Sequence, residues 1–138
     1  MKRTATAIWK GSGKDGSGAL TTQSTTLNNT QYSYKSRFEQ GVGTNPEELV
    51  AAAHAGCFAM AMSFQLQGMG ITPDSLDVTA VITLDPPTSS ITSSALTLKA
   101  KIPGITPEQF KTATENAKSG CPISKLLNTT ITLDASLL

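Results

Sequence analysis

Cys57 and Cys121 are the only cysteines among 138 residues, and an ionised thiol is the strongest nucleophile that ordinary side chains offer near neutral pH. Their settings differ. Cys57 lies inside Asn45-Pro-Glu-Glu-Leu-Val-Ala-Ala-Ala-His-Ala-Gly-Cys-Phe-Ala-Met-Ala-Met-Ser-Phe, whereas Cys121 lies in Lys118-Ser-Gly-Cys-Pro-Ile-Ser-Lys-Leu-Leu. Pro122 suits the first position of a helix, which puts Cys121 at or beside the N-cap. Free amides and the positive end of the helix dipole there lower a thiol below its usual pKa of about 8.5. The plain reading of either residue is a small buried hydrophobe, the common fate of a free cysteine.

Thiolate chemistry needs a cation to hold the negative sulfur and, were the substrate a peroxide, donors for the departing oxygen; arginine supplies both without ever deprotonating. Arg37 is the only arginine besides Arg3, and it closely precedes the Cys57 segment. It is either that cation or a solvated charge at the end of a strand. Glu47 can orient its guanidinium through a bidentate pair, and a carboxylate there also complements a helix dipole. Glu48 competes for both roles. Glu47 and Cys57 are ten residues apart, which on one helix means about 15 Å along the axis and roughly 80° around it. They cannot touch within one helix, so a site using both either has Arg37 bridging the gap or combines two chains. Ala51, Ala52, Ala53, Ala55 and Gly56 permit the close approach of another helix and favour two chains. His54, three residues before Cys57, is either the base of a Cys-His pair or a packed or interface histidine; no acid is evident to orient it and no second histidine to make a metal site.

The elements that must position these groups follow from pattern. Asn45 caps a helix that starts near Pro46 and reaches about Gln67, where Gly68 and Gly70 end it. It is apolar or small on every face, as in a core, and Met60, Met62, Phe64 and Met69 line that core or a pocket. His, Gln and Ser residues interrupt it, unlike the roughly 20 apolar residues of a bilayer span. Upstream, Ala5–Lys10 and the Thr-rich 19–27 stretch form a hairpin around a Gly-rich turn, and the alternation of Gln31–Phe38 predicts a third strand with Arg37 at its end. Downstream, Asp77–Leu84 and Ile91–Ile102 form an antiparallel pair about Asp85-Pro-Pro. Thr106 and Pro107 open a helix to about Lys118, Cys121–Leu127 is a short helix, and Asn128–Leu133 is a last strand. The order βββ-α-ββ-α-α-β is α+β, with helices on one face of antiparallel sheet and no linker or repeat to divide residues 1–138.

Bulk properties exclude several classes of function. A chain of this length is one domain by size, with a core that needs no disulfide staple. The net charge is +1, and no basic run exceeds Lys2-Arg3, so nucleic acid and anionic membranes have no electrostatic support as partners. The N-terminus lacks the apolar run of a signal peptide, so a reducing cytoplasmic location is expected. Only 15% of residues are charged, low for a compact monomer, which suggests that a partner chain covers some surface.

Arg37-Phe-Glu-Gln-Gly-Val-Gly-Thr-Asn-Pro-Glu-Glu-Leu-Val-Ala-Ala-Ala-His-Ala-Gly-Cys-Phe, with Gly120-Cys-Pro-Ile-Ser-Lys far downstream, resembles the OsmC/Ohr family, and within it the OsmC (osmotically inducible protein C) branch. The likeness runs in order through essentially the whole chain. It implies one OsmC-like domain, antiparallel sheets around a long buried central helix, and an intertwined homodimer with two sites at the interface. It also implies a thiol peroxidase acting on organic hydroperoxides and more weakly on hydrogen peroxide, with no metal or organic cofactor and a lipoyl-type dithiol as reductant. By the family pattern Cys57 is the peroxidatic and Cys121 the resolving cysteine, and Arg37 and Glu47 match the residues that activate the first thiol; an arginine placed as in Arg-Phe-Glu marks the OsmC rather than the Ohr branch. A Cys57 sulfenic acid would then condense with Cys121 to a disulfide. Competing classes are a non-enzymatic redox sensor, a dimer that binds a hydrophobic ligand, and a Cys-His acyl-transfer enzyme using His54.

Overall fold

A computed structural model describes residues 1–138, which divide into two compact units, 1–49 and 50–138. In the first unit, β1 (Ala5–Lys10) and β2 (Ser17–Thr22) form an antiparallel hairpin, and β3 (Thr30–Ser33) pairs antiparallel with β2. The predicted first strand is observed residue for residue. The second ends at Thr22 rather than Leu27, because the chain turns back through Thr25 and Asn29 in the left-handed region.

The largest departure from the sequence expectation falls at residues 34–38. They form a short helix, α1 (Tyr34–Phe38), where alternation predicts a continuing strand. Ser33 and Ser36 build a reciprocal capping box: the Ser36 amide donates to Ser33 Oγ (3.2 Å) and the Ser33 amide to Ser36 Oγ (2.9 Å). Two backbone donors are satisfied at once, which outweighs the strand preference of the flanking tyrosines. Arg37 is thereby carried on a helix. The following turn is tied down by Ser36 Oγ donating to the Thr44 carbonyl (2.8 Å), and by the Thr44 amide donating to the Gln31 carbonyl (2.9 Å). Gly43, at φ 108°, packs so tightly on the Gln31 backbone that no Cβ fits.

Helix α2 (Pro46–Gly68) starts and stops within a residue of expectation, with Asn45 Oδ1 accepting from the Glu48 amide at 2.8 Å as its cap. In the second unit it is followed by β4 (Ser75–Asp85) and β5 (Ser90–Lys101), an antiparallel pair, then by α3 (Pro107–Gly120), α4 (Pro122–Leu126) and β6 (Thr130–Leu137). Thr106 and Gln109 form the capping box that opens α3. The α3–α4 crossover brings β6 back parallel to β5, so this sheet is mixed and not wholly antiparallel.

The core of this unit comes from two interlocking periodicities. Phe58, Met62 and Leu66 recur every fourth residue on α2, and Leu96, Leu98 and Ala100 every second residue on β5; all are fully or almost fully buried. Phe110, Ala113 and Ala117 of α3 complete the cluster. Helix α2 has the length and hydropathy of a membrane span, but this stripe makes it a core helix, with Gln65, Gln67 and Ser63 interrupting its apolar length. Its burial is one-sided: Ala53, Gly56, Met60 and Phe64 are exposed.

Candidate active site

The four residues singled out by sequence meet in two pairs, one in each unit. Arg37 and Glu47 form the first. The guanidinium donates from Nη2 to Glu47 Oε1 at 2.7 Å and from Nε to both carboxylate oxygens at 3.1–3.2 Å, a bidentate fork. Phe38 braces the cation, with the Arg37 Cζ 5.0 Å from the ring centroid. The hydrogen bonds from Arg37 to Glu47 raise the guanidinium pKa further, so it is a fixed positive charge. Glu48 is elsewhere engaged, receiving Asn45 Nδ2 at 3.4 Å. The competition between the two carboxylates for Arg37 is therefore settled in favour of Glu47. Trp9, Tyr32 and Tyr34 line a cavity of about 100 Å³ together with Arg37.

Cys57 and Cys121 form the second pair. Their sulfurs are 2.7 Å apart, closer than two unbonded sulfurs usually come and longer than a disulfide of about 2.05 Å. Both cysteines are free. Residues 64 positions apart in sequence have thus been brought to exchange distance, by α2 for one and by the α3–α4 junction for the other. Helix α3, expected to end near Lys118, runs on through Gly120, and Cys121 is both its C-cap and the N-cap of α4.

The environment treats the two thiols differently. Burial pushes the Cys57 thiol up, and the neighbouring Cys121 adds to the rise against one favourable backbone donor at Ile123. Burial also raises Cys121, but donation from Cys57, from the amides of Ser124 and Ile123 and from the Ser124 hydroxyl outweighs it, leaving Cys121 lowered. The donors at the start of α4 favour an anion on Cys121 more than on Cys57. Amides at the start of α4 thus favour the Cys121 thiolate, although its sulfur makes no side-chain cap hydrogen bond.

Cys57 opens onto a cavity of about 360 Å³ lined also by Met60, Ala61, Phe64, Gln65, Asn116, Gly120 and Pro122. The lining is mostly apolar, with an amide at each of two positions to orient a polar group. Met62 belongs to the core instead.

His54 is fully buried and not a partner of Cys57. Its Nδ1 lies 2.7 Å from Ser94 Oγ and its Nε2 2.9 Å from Ser124 Oγ, so both ring nitrogens are occupied. This removes the geometric basis for a Cys57–His54 pair. Ser94 and Ser124 were missed by sequence reasoning. Ser94 carries no local signal, being one serine among several in a strand. Ser124 does: three residues beyond a cap is where a side chain reaches back over the helix start, so Cys-Pro-Ile-Ser was readable as a cap with its N3 partner. No group of three or more His, Cys, Asp and Glu side chains is placed to hold a metal ion.

Two thiols in contact beside an apolar cavity describe a redox site, and comparison with known proteins agrees. The chain is 45% identical over 133 residues to Peroxiredoxin OsmC of Escherichia coli, covering 95% of this chain and 93% of that protein. Its fold is similar to that of an organic hydroperoxide resistance protein OsmC from Legionella pneumophila (TM-score 0.69, 22% identity, 97% and 96% of the two chains). It is similar also to the organic hydroperoxide resistance protein OhrB of Bacillus subtilis (TM-score 0.66, 20% identity, 98% of each chain). At these identities the two structures speak for the fold alone. The family model described as OsmC-like protein matches residues 39–136, a span holding both cysteines and Glu47, and with that match the chain belongs to the OsmC family.

Proposed function

We propose that this chain is a cysteine-based peroxidase that reduces organic hydroperoxides, and hydrogen peroxide more weakly, to alcohols. The observation that carries the reading is the 2.7 Å approach of Cys57 to Cys121 at the wall of an apolar cavity. Family membership and 45% identity to a peroxiredoxin support the peroxidase activity itself.

In the proposed sequence the Cys57 thiolate attacks the terminal peroxide oxygen, the O–O bond breaks, and the alkoxide takes a proton and leaves as alcohol. Cys57 is now a sulfenic acid. Cys121 attacks its sulfur, water departs, and a disulfide remains for an external dithiol, of lipoyl type, to reduce. Cys57 is assigned the first step because it borders the cavity where Met60 and Phe64 would receive an alkyl group.

The first step needs a cation to offset the upward shift that burial imposes on Cys57. Arg37, held by Glu47, is proposed as that cation. The ten-residue separation of Glu47 and Cys57 along one helix favours an Arg37 given by a second chain, in an intertwined homodimer. Exposed Met60 and Phe64, at 63% and 60%, support a covered face in that assembly. The family match runs across the Leu49/Val50 division, which supports treating residues 1–138 as one OsmC-like domain. A reducing cytoplasmic setting suits two free thiols.

Stopped-flow mixing with cumene hydroperoxide tests the reading. Wild-type protein should lose both thiols in a single turnover, far faster than free cysteine does. Cys57→Ser should consume no peroxide. Cys121→Ser should complete one oxidation, then stall and over-oxidise in excess peroxide. Multiple turnovers by Cys57→Ser would end the proposal, and a wild-type rate equal to that of free cysteine would favour a redox sensor or a hydrophobic-ligand binding dimer.

A further inference from the structure

We infer that Ser124 and His54 form a proton relay for Cys121, taking up its proton as that thiol attacks oxidised Cys57. The inference rests on the peroxidase reading above and adds two groups to its second step.

Three close contacts and one helix position line these groups up. Ser94 Oγ meets His54 Nδ1 at 2.7 Å, His54 Nε2 meets Ser124 Oγ at 2.9 Å, Ser124 is the third residue of the helix that Cys121 caps, where its hydroxyl favours the Cys121 anion, and Cys121 meets Cys57 at 2.7 Å. A buried histidine requires two partners, and any pair of polar groups would satisfy it. What packing alone leaves unexplained is that one partner also serves the sulfur of the neighbouring thiol. A hydroxyl is suited to this position because it can accept one proton while donating another. Cys121 S–H gives its proton to Ser124 Oγ, and Ser124 O–H gives its own to His54 Nε2. For Nε2 to accept, the ring must carry its hydrogen on Nδ1, and Ser94 Oγ is there to receive it. Burial lowers the His54 pKa, so the ring is neutral and able to accept near neutral pH.

The step balances. The electron pair on the Cys121 sulfur forms the S–S bond while the S–O bond of the Cys57 sulfenic acid breaks; Cys121 is oxidised and the sulfenic sulfur reduced. The departing hydroxide takes one proton to become water. His54 returns one through Ser124, which lines a cavity of about 440 Å³, so no proton is gained or lost overall. The charged and titratable groups around the relay are Cys57 and Cys121 themselves, Glu115 and Lys118 of α3 and Lys125 of α4 on the same cavity as Ser124; on β5 the ring's hydrogen-bond partner is the neutral Ser94.

Two measurements test it. In full-length Cys57→Ser protein, the pH dependence of Cys121 alkylation by iodoacetamide reports that thiol without any peroxide chemistry. Ser124→Ala should raise its apparent pKa by about one pH unit, the consequence of losing one hydrogen bond to a charged group. Ser124→Thr, which keeps the hydroxyl, should restore it. With both cysteines present, rapid quenching after one equivalent of cumene hydroperoxide should show sulfenic acid converting to disulfide at least about tenfold more slowly in Ser124→Ala at pH 7, with a rate that climbs with pH. Sulfenic acid formation is the internal reference. His54→Gln should slow the same step, and if that variant does not fold, the Ser124 pair is sufficient. An unchanged alkylation profile in Ser124→Ala overturns the relay, as does equal impairment of the Ala and Thr variants. Neither result touches the peroxidase reading, which stands or falls on peroxide consumption by the wild type.

Discussion

Burial moves both thiols the same way, and only the donors around them tell the two apart. Amides and a hydroxyl at the start of α4 serve Cys121, whereas Cys57 has one backbone donor to offset its burial. A peroxidatic Cys57 therefore depends on a cation, and the sign of its effect is determined. A nearby positive charge lowers a thiol pKa, so its removal raises the pKa and, at a pH below it, shrinks the thiolate fraction in proportion. We expect Arg37→Gln to slow Cys57 oxidation by cumene hydroperoxide about tenfold or more at pH 7 and to regain rate as the pH climbs towards the ordinary thiol range. Glu47→Gln keeps the arginine but loosens its fork, so its loss should be smaller. A stopped-flow pH profile identical to wild type in Arg37→Gln would remove Arg37 from the site. All four candidate residues were legible in the sequence because each sits in a segment with a local signature. The serines on His54 were not, since their hydrogen bonds join residues 40 and 70 positions apart, and nothing local marks a partner at that distance.

Elements with strong local punctuation emerged close to expectation. Asn45-Pro opens α2, Thr106-Pro opens α3, and Asp85-Pro-Pro separates β4 from β5, each at or within about two residues of where the pattern put it. Residues 34–38 failed because two local codes overlap there: alternation reads as strand, the Ser33/Ser36 box reads as helix start, and the box prevails. The parallel return of β6 was illegible for a different reason, because pairing direction is a property of the crossover and not of the strand. At this scale His54 also has a measurable consequence, since it stands at the head of the buried α2 stripe. Burial holds its folded pKa below the unfolded value of about 6.5. The unfolded chain thus takes up the proton first, so this contribution to stability is full above about pH 6.5 and declines as the pH falls towards the folded value. Thermal unfolding followed by circular dichroism should show the midpoint dropping between about pH 7 and pH 5, and dropping less in His54→Gln. Equal slopes for the two proteins would mean that other groups govern the acid response.

Low charge, a central helix apolar on every face, and exposed Met60 and Phe64 all bear on assembly. A helix with one stripe in its own core and an apolar stripe left outside has the pattern of an element shared between two chains. Sedimentation should give twice the chain mass of 14.4 kDa, and Met60→Glu with Phe64→Glu should shift it towards the single-chain value. The sharper expectation concerns which chain supplies the cation. Arg37→Gln and Cys57→Ser proteins are each expected to be nearly inactive alone. If Arg37 serves the Cys57 of its partner, a mixed dimer contains one complete site, formed by Cys57 of the first variant and Arg37 of the second, and one site lacking both. Unfolding and refolding an equimolar mixture should then restore about a quarter of the wild-type sites, because half of randomly paired dimers are mixed and each holds one complete site of two. If Arg37 serves its own chain, the mixed dimer has no complete site and the mixture stays as inactive as its components. Single-turnover thiol loss in the refolded mixture separates the two outcomes, and the unmixed variants refolded side by side supply the baseline.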